Sequence, residues 1–279
     1  MLKGKNKGES VKTMCQQYNK SRQAFYKSVT KAKTDDEKKK KAVSLIQEVR
    51  QFLPRVGGRK LLHIIVDKLQ KEGISYGRDA FFDLMREYEL LIQKKKRYTK
   101  TTNSYHRFRV YKNEIKDLTI TKPNQVFVSD ITYIRVVGSF VYLSLVTDYY
   151  SRMIVGYHLS DSLSAVGTLN AIKMAMRGVK NPAGLIHHSD RGIQYCCADY
   201  VGYLKRKGAV MSMTEEDHVY ENALAERVNG ILKDEFYLGE RFASKRLAEK
   251  AVREAVKHYN ELRPHMSLNY DTPAKRYTA

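Results

Sequence analysis

Three carboxylates lie where an ionised side chain is costly or close to others. Asp130 interrupts the apolar run VFVSDITYI, Asp190 ends the run LIHHSD, and Glu226 follows Asp190 with 35 residues between them. A carboxylate in an apolar strand needs a compensating partner, and carboxylates brought together repel unless cations lie between them. Mg²⁺ takes carboxylate oxygens, and two such ions about 4 Å apart can drive in-line phosphoryl displacement. These residues therefore predict a divalent-metal site for phosphoryl chemistry.

The elements that must position these residues follow from the residue pattern after Pro123. Three runs rich in Val, Ile, Tyr and Phe predict an antiparallel meander, and shorter apolar runs then alternate with helical periodicity. The strands are expected at 125–136, 139–150, 152–160, 184–189 and 209–213, and the helices at 163–177, 198–208, 221–238 and 243–262. This order predicts an α/β, RNase H-like core with a mixed five-stranded sheet.

Helical spacing in the segment around Glu226 separates an apolar stripe from a polar one. Leu224, Val228, Ile231 and Leu232 form the inward stripe, whereas Asn222, Glu226, Asn229 and Lys233 share another face. Glu226 is therefore free to face the two aspartates across the edge of the sheet.

Other carboxylates could take the place of one member of this set. Asp148 suits a turn at the end of a strand or an ion pair with Arg152, but could also lie beside the site. The run Glu215, Glu216 and Asp217 is typical of a solvated loop. Glu221 and Glu235 fall on different helix faces from Glu226 and are the weaker candidates for the third ligand.

A zinc site is a competing interpretation of His187, His188, Cys196 and Cys197. Adjacent strand residues point to opposite faces, and adjacent cysteines lack the gap of two to four residues that is usual in zinc clamps. We therefore disfavour zinc. His188 is expected to border the carboxylates instead, because it lies two residues before Asp190 and on the same side of the strand.

The chain is strongly basic, and its charge is uneven. Its 279 residues carry 51 Lys and Arg against 30 Asp and Glu, a formal net charge of +21. Residues 1–120 hold 30 cationic and 13 anionic side chains, whereas residues 121–279 hold 21 and 17. This excess predicts a polyanionic partner, although a basic protein that coats RNA would also fit. Three cysteines do not make a disulfide framework, and no apolar run approaches the ~20 residues of a membrane span.

The front of the chain is predicted to be helical. Ser21 is a suitable N-cap after the break at Asn19-Lys20, and Gly73 separates two helical patterns in the outline of a helix-turn-helix, which any helical hairpin shares. Helical periodicity is present in four stretches: 10–27, 35–53, 59–73 and 74–91. Residues 93–113 mix cationic and aromatic side chains, which is typical of a linker and also suits a segment lying along DNA.

Four stretches in chain order resemble the catalytic domain of insertion-sequence transposases of the retroviral-integrase superfamily. They are PNQVFVSDITYI, HSDRGIQY, YENALAERVNGILKDE and YNELRPHMSLNYDTP. The particular resemblance is to the second-reading-frame product, OrfB, of the family that encodes two overlapping frames, and it covers residues 10–279. Any one stretch could arise by chance, whereas four in order with the family's 35-residue interval are specific.

The resemblance implies a catalytic DDE triad of Asp130, Asp190 and Glu226 that ligates two Mg²⁺ or Mn²⁺ ions. The loop after Asp190 would be shaped by Ser189, Arg191, Gly192 and Gln194. It further implies an enzyme that hydrolyses a phosphodiester to free a 3′-hydroxyl at the element's end and uses that hydroxyl to attack a target strand, without a covalent protein intermediate.

DNA is the implied partner, both as terminal inverted repeats and as target. The stretch Arg263-Pro264-His265 fits a helix end packed on the core as well as a contact with the element's end. Our candidates for DNA contact are Arg78, Arg86, Lys94, Lys95, Lys96, Arg97, Arg107, Arg109, Arg191, Asn222, Asn229, Lys233, Arg263 and His265.

The resemblance also implies an organisation and a setting. Two DNA ends must be joined together, so a homodimer or higher oligomer on DNA is expected, with the upstream-frame helix-turn-helix and coiled-coil product as a further candidate partner. Since the OrfB-like pattern starts within about ten residues of Met1, the chain is expected to be the unfused product or a member that works alone. We expect a bacterial cytoplasmic, nucleoid-associated protein.

Five segments are expected: 1–53 and 54–92 as helix-turn-helix-like regions, 93–122 as basic linker, 123–240 as catalytic core, and 241–279 as C-terminal helix and tail. Two rival functions use parts of the same plan. A non-catalytic DNA-binding regulator of transposition would need only the front half, and an RNase H-like nuclease would cut without joining.

Overall fold

The computed structural model describes residues 10–93, 109–215 and 222–279. Contacts between residues divide the chain into two compact units. The first comprises Met1–Val49 and Leu61–Leu91, and the second comprises Arg50–Lys60 and Ile92–Ala279. These units are defined by residue contacts, and they do not test the five segments expected from the sequence. Those segments stay predictions.

The first four helices of the chain are α1 (Val11–Gln17), α2 (Arg22–Phe52), α3 (Gly58–Lys71) and α4 (Arg78–Glu87). The Ser21 Oγ accepts a hydrogen bond from Ala24 N at 3.0 Å, as its predicted role at the start of a helix requires. Asn19 adopts a left-handed φ of 50°, which turns the chain between α1 and α2. In the first unit, Leu61, Ile65 and Leu69 of α3 are buried together with Phe81 of α4.

Helix α2 is longer than the sequence pattern indicates, since it runs without a break for 31 residues. The stretch between the two predicted helical patterns, residues 28–34, has no apolar period and is almost wholly exposed. It contains neither glycine nor proline, so nothing in its backbone interrupts the helix.

The second unit is built on one mixed sheet. Its strands are β1 (Val126–Val136), β2 (Ser139–Asp148), β3 (Ile154–Ser160), β4 (Ile186–Ser189), β5 (Val210–Met213) and β6 (Arg241–Phe242). The order is β3-β2-β1-β4-β5. Strand β2 is antiparallel to both β1 and β3, whereas β4 is parallel to β1 and β5 is parallel to β4. The five predicted strands are all present, and the fold is the RNase H-like α/β fold. Strand β6, which pairs with the end of β1, was not predicted because two residues carry no alternation.

Helices cover both faces of this sheet. They are α5 (Ala165–Arg177), α6 (Ile193–Cys196), α7 (Ala198–Arg206), α8 (Ala223–Glu235), α9 (Lys245–Glu261) and α10 (Pro273–Thr278). One buried cluster joins Phe127 and Val146 to α5 and α7, and another joins Ile134 and Leu145 to α8 and α9. Because side chains alternate along a strand, neighbouring residues of β1 serve opposite layers.

The second part of the expected linker contacts the sheet. Glu114 N donates to Ser212 Oγ of β5 at 2.9 Å, and Met213 N donates to Lys112 O at 3.4 Å. Tyr111 and Ile115 pack against two of the buried clusters. Residues 109–115 therefore lie along β5, while residues 94–108 of the expected linker fall outside the described residues.

No helix in the described part of the chain combines the length and the apolar character that crossing a membrane would require.

Candidate active site

Asp130 and Asp190 lie side by side on neighbouring parallel strands. Ser129 of β1 is opposite Ser189 of β4, and each aspartate is the next residue on its own chain segment. Neighbouring strands are about 4.8 Å apart, and residues at matching positions of parallel strands face the same layer. Here that layer contains α8, because Asn229 of α8 donates to the Asp130 carboxylate. The sheet thus brings together two carboxylates that are 60 residues apart in the sequence.

The pKa of Asp130 is raised from its ordinary value of 3.8 to about 7. Burial is the main cause and the negative charge of Asp190 the next, with a smaller contribution from Glu226. Two hydrogen bonds act in the opposite direction: Asn229 Nδ2 donates to Oδ2 at 2.7 Å, and Ile131 N donates to Oδ1 at 2.8 Å. Without a cation, the folded chain therefore resists ionisation of this carboxyl.

A tight loop after β4 holds Asp190. Gly192 N donates to Asp190 Oδ1 at 3.0 Å. A Cβ at position 192 would lie 2.9 Å from that oxygen and 3.2 Å from Gln194 Oε1, so the loop has room only for glycine there without a shift. Gln194 is itself fixed, because its Nε2 donates to Leu163 O at 2.9 Å. Gly192 and Gln194 thus shape this loop, as the sequence predicts.

Glu226 lies in the first turn of α8 and is exposed. The helix is shorter than predicted and begins at Ala223, after Asn222, while residues 216–221 lie outside the described residues. Within the described ranges, no three His, Cys, Asp or Glu side chains are close enough together to hold a metal ion. The structure therefore pairs the two aspartates, and Glu226 acts on Asp130 through its charge. The metal role of all three stays a prediction.

The other carboxylate candidates have structural partners. Asp148 is fully buried, and its Oδ2 accepts from Ser151 N at 2.8 Å and Ser151 Oγ at 2.6 Å, while its Oδ1 accepts from Asn124 N at 2.7 Å. Asp148 therefore closes the turn after β2. Arg152, the other expected partner, donates from Nη1 to Tyr149 O at 2.6 Å and acts on the Asp148 carboxylate through its charge.

Glu235 belongs to a buried ionic cluster and is not a third ligand. Its carboxylate accepts from Arg263 Nε at 2.8 Å, from Arg263 Nη2 at 2.6 Å and from Lys60 Nζ at 3.3 Å. Burial alone would raise the pKa of Glu235, but Arg263 and Lys60 lower it overall. Glu215 is paired with Lys116 at 3.5 Å, whereas Glu216, Asp217 and Glu221 lie outside the described residues.

Two expected DNA contacts, Arg263 and His265, belong to this buried cluster, and their prediction as DNA contacts is wrong. Arg263 is 2% exposed and His265 is 8% exposed, and Arg263 Nη1 lies 2.9 Å from His265 Nε2. Burial, followed by the charge of Arg263, lowers the pKa of His265 to about 2, so this ring is neutral. Both side chains are directed into the protein, because the chain turns at Pro264 and packs on the core.

The histidines and cysteines do not form a zinc site. His187 Nε2 lies 2.8 Å from both Ser129 Oγ and Tyr200 Oη, and burial lowers the pKa of His187 to about 3. Cys196 Sγ points to Met213 Sδ at 3.8 Å, and Cys197 Sγ to Gln194 O at 3.4 Å. Zinc was disfavoured from the sequence, and within the described chain these four side chains form no metal cluster.

His188 lies on the carboxylate side of β4. It follows the strand alternation of Asp190, and its Nδ1 lies 2.8 Å from Ser212 Oγ of β5. The same Ser212 hydroxyl accepts from Glu114 N, so His188 is tied to the segment that arrives along β5.

Further DNA-contact candidates divide by exposure. Arg78 and Arg86 are exposed and pair with neighbouring aspartates of α4, and Arg109 is exposed with its guanidinium 5.3 Å from the Tyr111 ring centroid. Arg191 Nε donates to Thr214 O at 2.8 Å, and Lys233 Nζ lies 4.0 Å from the Tyr133 ring centroid. Five candidates fall outside the described residues: Lys94, Lys95, Lys96, Arg97 and Arg107.

The prediction that Asn222 and Asn229 contact DNA is also wrong. They are 4% and 5% exposed, and each amide donates into β1, Asn222 to Ser129 O at 3.0 Å and Asn229 to Asp130 Oδ2. Helical spacing in the sequence places both asparagines on the helix face of Glu226 but does not show their hydrogen-bond partners. An asparagine at helical spacing from a candidate ligand is the only signal that could have indicated this, and it does not tell a protein partner from a phosphate.

Comparison with protein-family models gives two overlapping matches. Residues 120–218 match a model described as Integrase core domain, and residues 207–273 match a second model with the same description. Together these matches span the sheet, both aspartates, Glu226 and most of the C-terminal helices.

Curated relatives extend the similarity to the front of the chain. A Shigella sonnei protein named Insertion element IS600 uncharacterized 31 kDa protein is 34% identical over 265 residues, covering 94% of this chain and 96% of that protein. The Escherichia coli K12 protein named Transposase InsF for insertion sequence IS3A is 31% identical over 203 residues, covering 72% of this chain and 70% of its own.

Solved structures that resemble the chain include retroviral integrases. The HTLV-2 integrase catalytic core domain in complex with magnesium is 17% identical with a TM-score of 0.45, covering 56% of this chain and 97% of its own. The simian T-cell lymphotropic virus intasome in complex with PP2A regulatory subunit B56 gamma is 14% identical with a TM-score of 0.49, covering 84% of this chain and 74% of its own.

Proposed function

The chain belongs to the DDE transposases of insertion sequences that carry an integrase core domain, and we propose that Asp130, Asp190 and Glu226 are its catalytic metal ligands. Members of this family are DNA transposases, polynucleotidyl transferases that act on DNA. The observation that supports the assignment is the register of β1 and β4, which sets Asp130 beside Asp190 on the face toward α8.

The donor set fits hard divalent cations. Two carboxylates that raise each other's proton affinity are a poor arrangement for an isolated protein and a good one for Mg²⁺ or Mn²⁺, which prefer carboxylate oxygens. Glu226 adds a third carboxylate from the first turn of α8. Two bound ions would supply an activated attacking oxygen and charge stabilisation for the leaving oxygen.

The remaining work is done by the chain itself. Gly192 N and Ile131 N hold one oxygen of each aspartate, so both carboxylates have a defined orientation. The proposed reaction has two displacements. Water first attacks a phosphodiester at the element's end, which breaks one P–O bond and frees a 3′-hydroxyl. That hydroxyl then attacks a target phosphodiester, forming one P–O bond as another breaks, so no energy source is needed.

Exposed cations are proposed to hold the DNA. Arg78, Arg86 and Arg109 are exposed, and Arg191 and Lys233 are partly exposed in the second unit. Each phosphate contact releases counterions, so the affinity for DNA should fall steeply as salt rises. The segment from Lys94 to Arg107 is proposed to contribute further contacts.

Partners beyond DNA are also part of the proposal. Joint processing of two element ends calls for a homodimer or a higher oligomer on DNA. The upstream-frame product is proposed as a second partner, and the bacterial cytoplasm, at the nucleoid, as the place of action.

Strand transfer with labelled element ends, with and without the upstream-frame product, tests the function directly. The full chain should cleave and join these ends with Mg²⁺ or Mn²⁺, and Asp130→Asn, Asp190→Asn and Glu226→Gln should each abolish both steps. Asp161→Asn is the matched control, because Asp161 is exposed and pairs with Lys245. Full joining by any of the three variants would refute the triad. Cleavage without joining would indicate a nuclease, and binding without either step a regulator.

A further inference from the structure

Asn222, directly before α8, and Asn229, within α8, donate to consecutive residues of β1. Asn222 Nδ2 donates to the main-chain oxygen of Ser129 at 3.0 Å, and Asn229 Nδ2 donates to the side-chain oxygen Oδ2 of Asp130 at 2.7 Å. Both residues are at least nine-tenths buried. Each Oδ1 atom is also buried and accepts no hydrogen bond from the described residues. The two amides thus match in burial and donor but differ in acceptor.

The hydrogen bond of Asn229 has a different effect from that of Asn222, because its acceptor is a side chain. A hydrogen bond to a main-chain oxygen fixes the distance between α8 and β1, whereas a hydrogen bond to a carboxylate oxygen also fixes the rotation of that carboxylate. Ile131 N donates to the other oxygen of Asp130 at 2.8 Å. Each oxygen therefore has one donor and keeps lone-pair directions free for a cation.

An amide is well suited to this position because it is neutral. A lysine or arginine donating to Asp130 would orient it equally well but would compete with a metal ion for its charge. The nearest cation along this helix face is Lys233, one turn further on, and its ammonium lies 4.0 Å from the Tyr133 ring centroid. Asn229 thus stabilises the carboxylate without neutralising it.

We infer that Asn229 is a positioning residue that holds the Asp130 carboxylate in its metal-binding orientation, rather than a contact to DNA. The inference rests on the proposed function, since it gives Asn229 a role only through a metal at Asp130. Hydrogen-bond partners of metal ligands commonly change metal affinity by about 10- to 100-fold when they are removed.

Metal binding to the full chain without DNA separates this role from a contact to DNA. We would titrate Mn²⁺ by calorimetry into the unmodified chain, Asn229→Ala, Asn229→Leu and Asn222→Ala. Asn229→Leu keeps the branching and the number of side-chain heavy atoms, so it leaves no cavity and serves as the second variant if Asn229→Ala fails to fold. Both Asn229 variants should bind Mn²⁺ about ten-fold more weakly. Asn222→Ala should bind it with unchanged affinity although it, too, loses a buried hydrogen bond.

Strand transfer gives a second readout with the same variants. For Asn229→Leu, the Mg²⁺ concentration that gives half the maximal rate should rise about ten-fold, while the maximal rate recovers at saturating metal. DNA affinity, measured by salt-dependent binding of element ends, should be unchanged. A loss of DNA affinity with normal Mn²⁺ binding would overturn the inference and restore the sequence-based assignment.

Adding Asp130→Asn to the titration distinguishes a failure of the role of Asn229 from a failure of the proposed metal site. If this variant loses Mn²⁺ binding while Asn229→Leu binds normally, the metal site stands and the role of Asn229 is wrong. If Asp130→Asn binds Mn²⁺ like the unmodified chain, or if the unmodified chain binds none, the proposed metal site is wrong and the role of Asn229 falls with it.

Discussion

The β1–β4 strand pair presents aspartates on one face and a buried hydrogen-bond network on the other. Toward α8, Asp130 and Asp190 lie together, and the pKa of Asp130 is raised to about 7. On the opposite face, His187 Nε2 lies 2.8 Å from the hydroxyls of both Ser129 and Tyr200, and the whole group is buried. The two faces alternate residue by residue along the same strands.

The two faces of this strand pair have different roles, one in the stability of the fold and the other in activity. A neutral, buried network of hydrogen bonds adds to the stability of the fold, and it links β1 and β4 in the register that aligns the aspartates. Two neighbouring carboxylates reduce stability until cations bind between them. We expect substitutions on the network face to change stability, and those on the carboxylate face to change activity.

Substituting neighbouring residues of β1 should give the largest contrast. Asp130→Asn should reduce strand transfer by at least about 10³-fold, because a metal ligand is lost. Ser129→Ala should keep the activity of the folded chain but reduce the free energy of unfolding by about 1 kcal/mol, because a buried hydrogen bond is lost. Strand transfer and scanning calorimetry on both variants test this.

The stability effect of Asp130→Asn should have the opposite sign. The pKa of Asp130 is higher in the folded chain, at about 7, than its ordinary value of 3.8, so the folded state is destabilised as the pH rises through 7. At pH 8 and without metal, Asp130→Asn should therefore melt at a higher temperature than the unmodified chain. A lower melting temperature under these conditions would contradict the comparison.

A methyl group at Gly192 should break the carboxylate face without touching the network. In Gly192→Ala the new Cβ would lie 2.9 Å from Asp190 Oδ1, so the carboxylate must move away from its hydrogen bond with the backbone. We expect strand transfer to fall about 10- to 100-fold with the fold intact.

Gly202→Ala in α7 is the matched control for this substitution. Its Cβ would meet only the end of the Arg206 side chain at 3.3 Å, and alanine favours the helix by about 0.5–1 kcal/mol. Activity should be unchanged and stability slightly higher. Equal loss of activity in both variants would show that the Asp190 loop is not the cause.

Much of this arrangement could be predicted from the sequence, because its signals are local. The strand around Asp130 and the strand before Asp190 follow from apolar runs, and the succession of strands and helices along the chain follows from the change of period. Their parallel pairing, which sets Asp130 beside Asp190, is a property of the fold. The family resemblance implies Glu226, and the structure connects it to Asp130 through its charge.

Partnerships between distant polar residues could not be predicted in the same way. Asn229 and Arg263 have the residue types of DNA contacts, and only the packing of α8 and of the C-terminal segment shows that Asp130 and Glu235 are their partners. The same holds for His187, whose partner Ser129 is 58 residues away. A pattern records which residues are polar, whereas burial decides where their hydrogen bonds go.

Removing one hydroxyl from the network should have a moderate effect on stability alone. Tyr200→Phe deletes the hydroxyl that lies 2.8 Å from His187 Nε2, and we expect the free energy of unfolding to fall by about 1–2 kcal/mol. Tyr203→Phe, on the same helix and partly exposed, should change it by less than about 0.5 kcal/mol. Urea unfolding measures both, and a loss of strand transfer by folded Tyr200→Phe would refute the separation of the faces.

The smallest expected effect is a pH dependence that comes from His187. Burial lowers the pKa of His187 to about 3, whereas in the unfolded chain it is about 6.5, so the unfolded state binds the proton first as the pH falls. Stability from this group is complete above pH 6.5 and is lost progressively below it. Between pH 7.5 and pH 5.5 the unmodified chain should therefore lose about 1 kcal/mol more than His187→Gln in urea unfolding. If the unmodified chain and His187→Gln showed the same pH dependence, His187 would be protonated in the folded state, and the network face would carry a charge of its own.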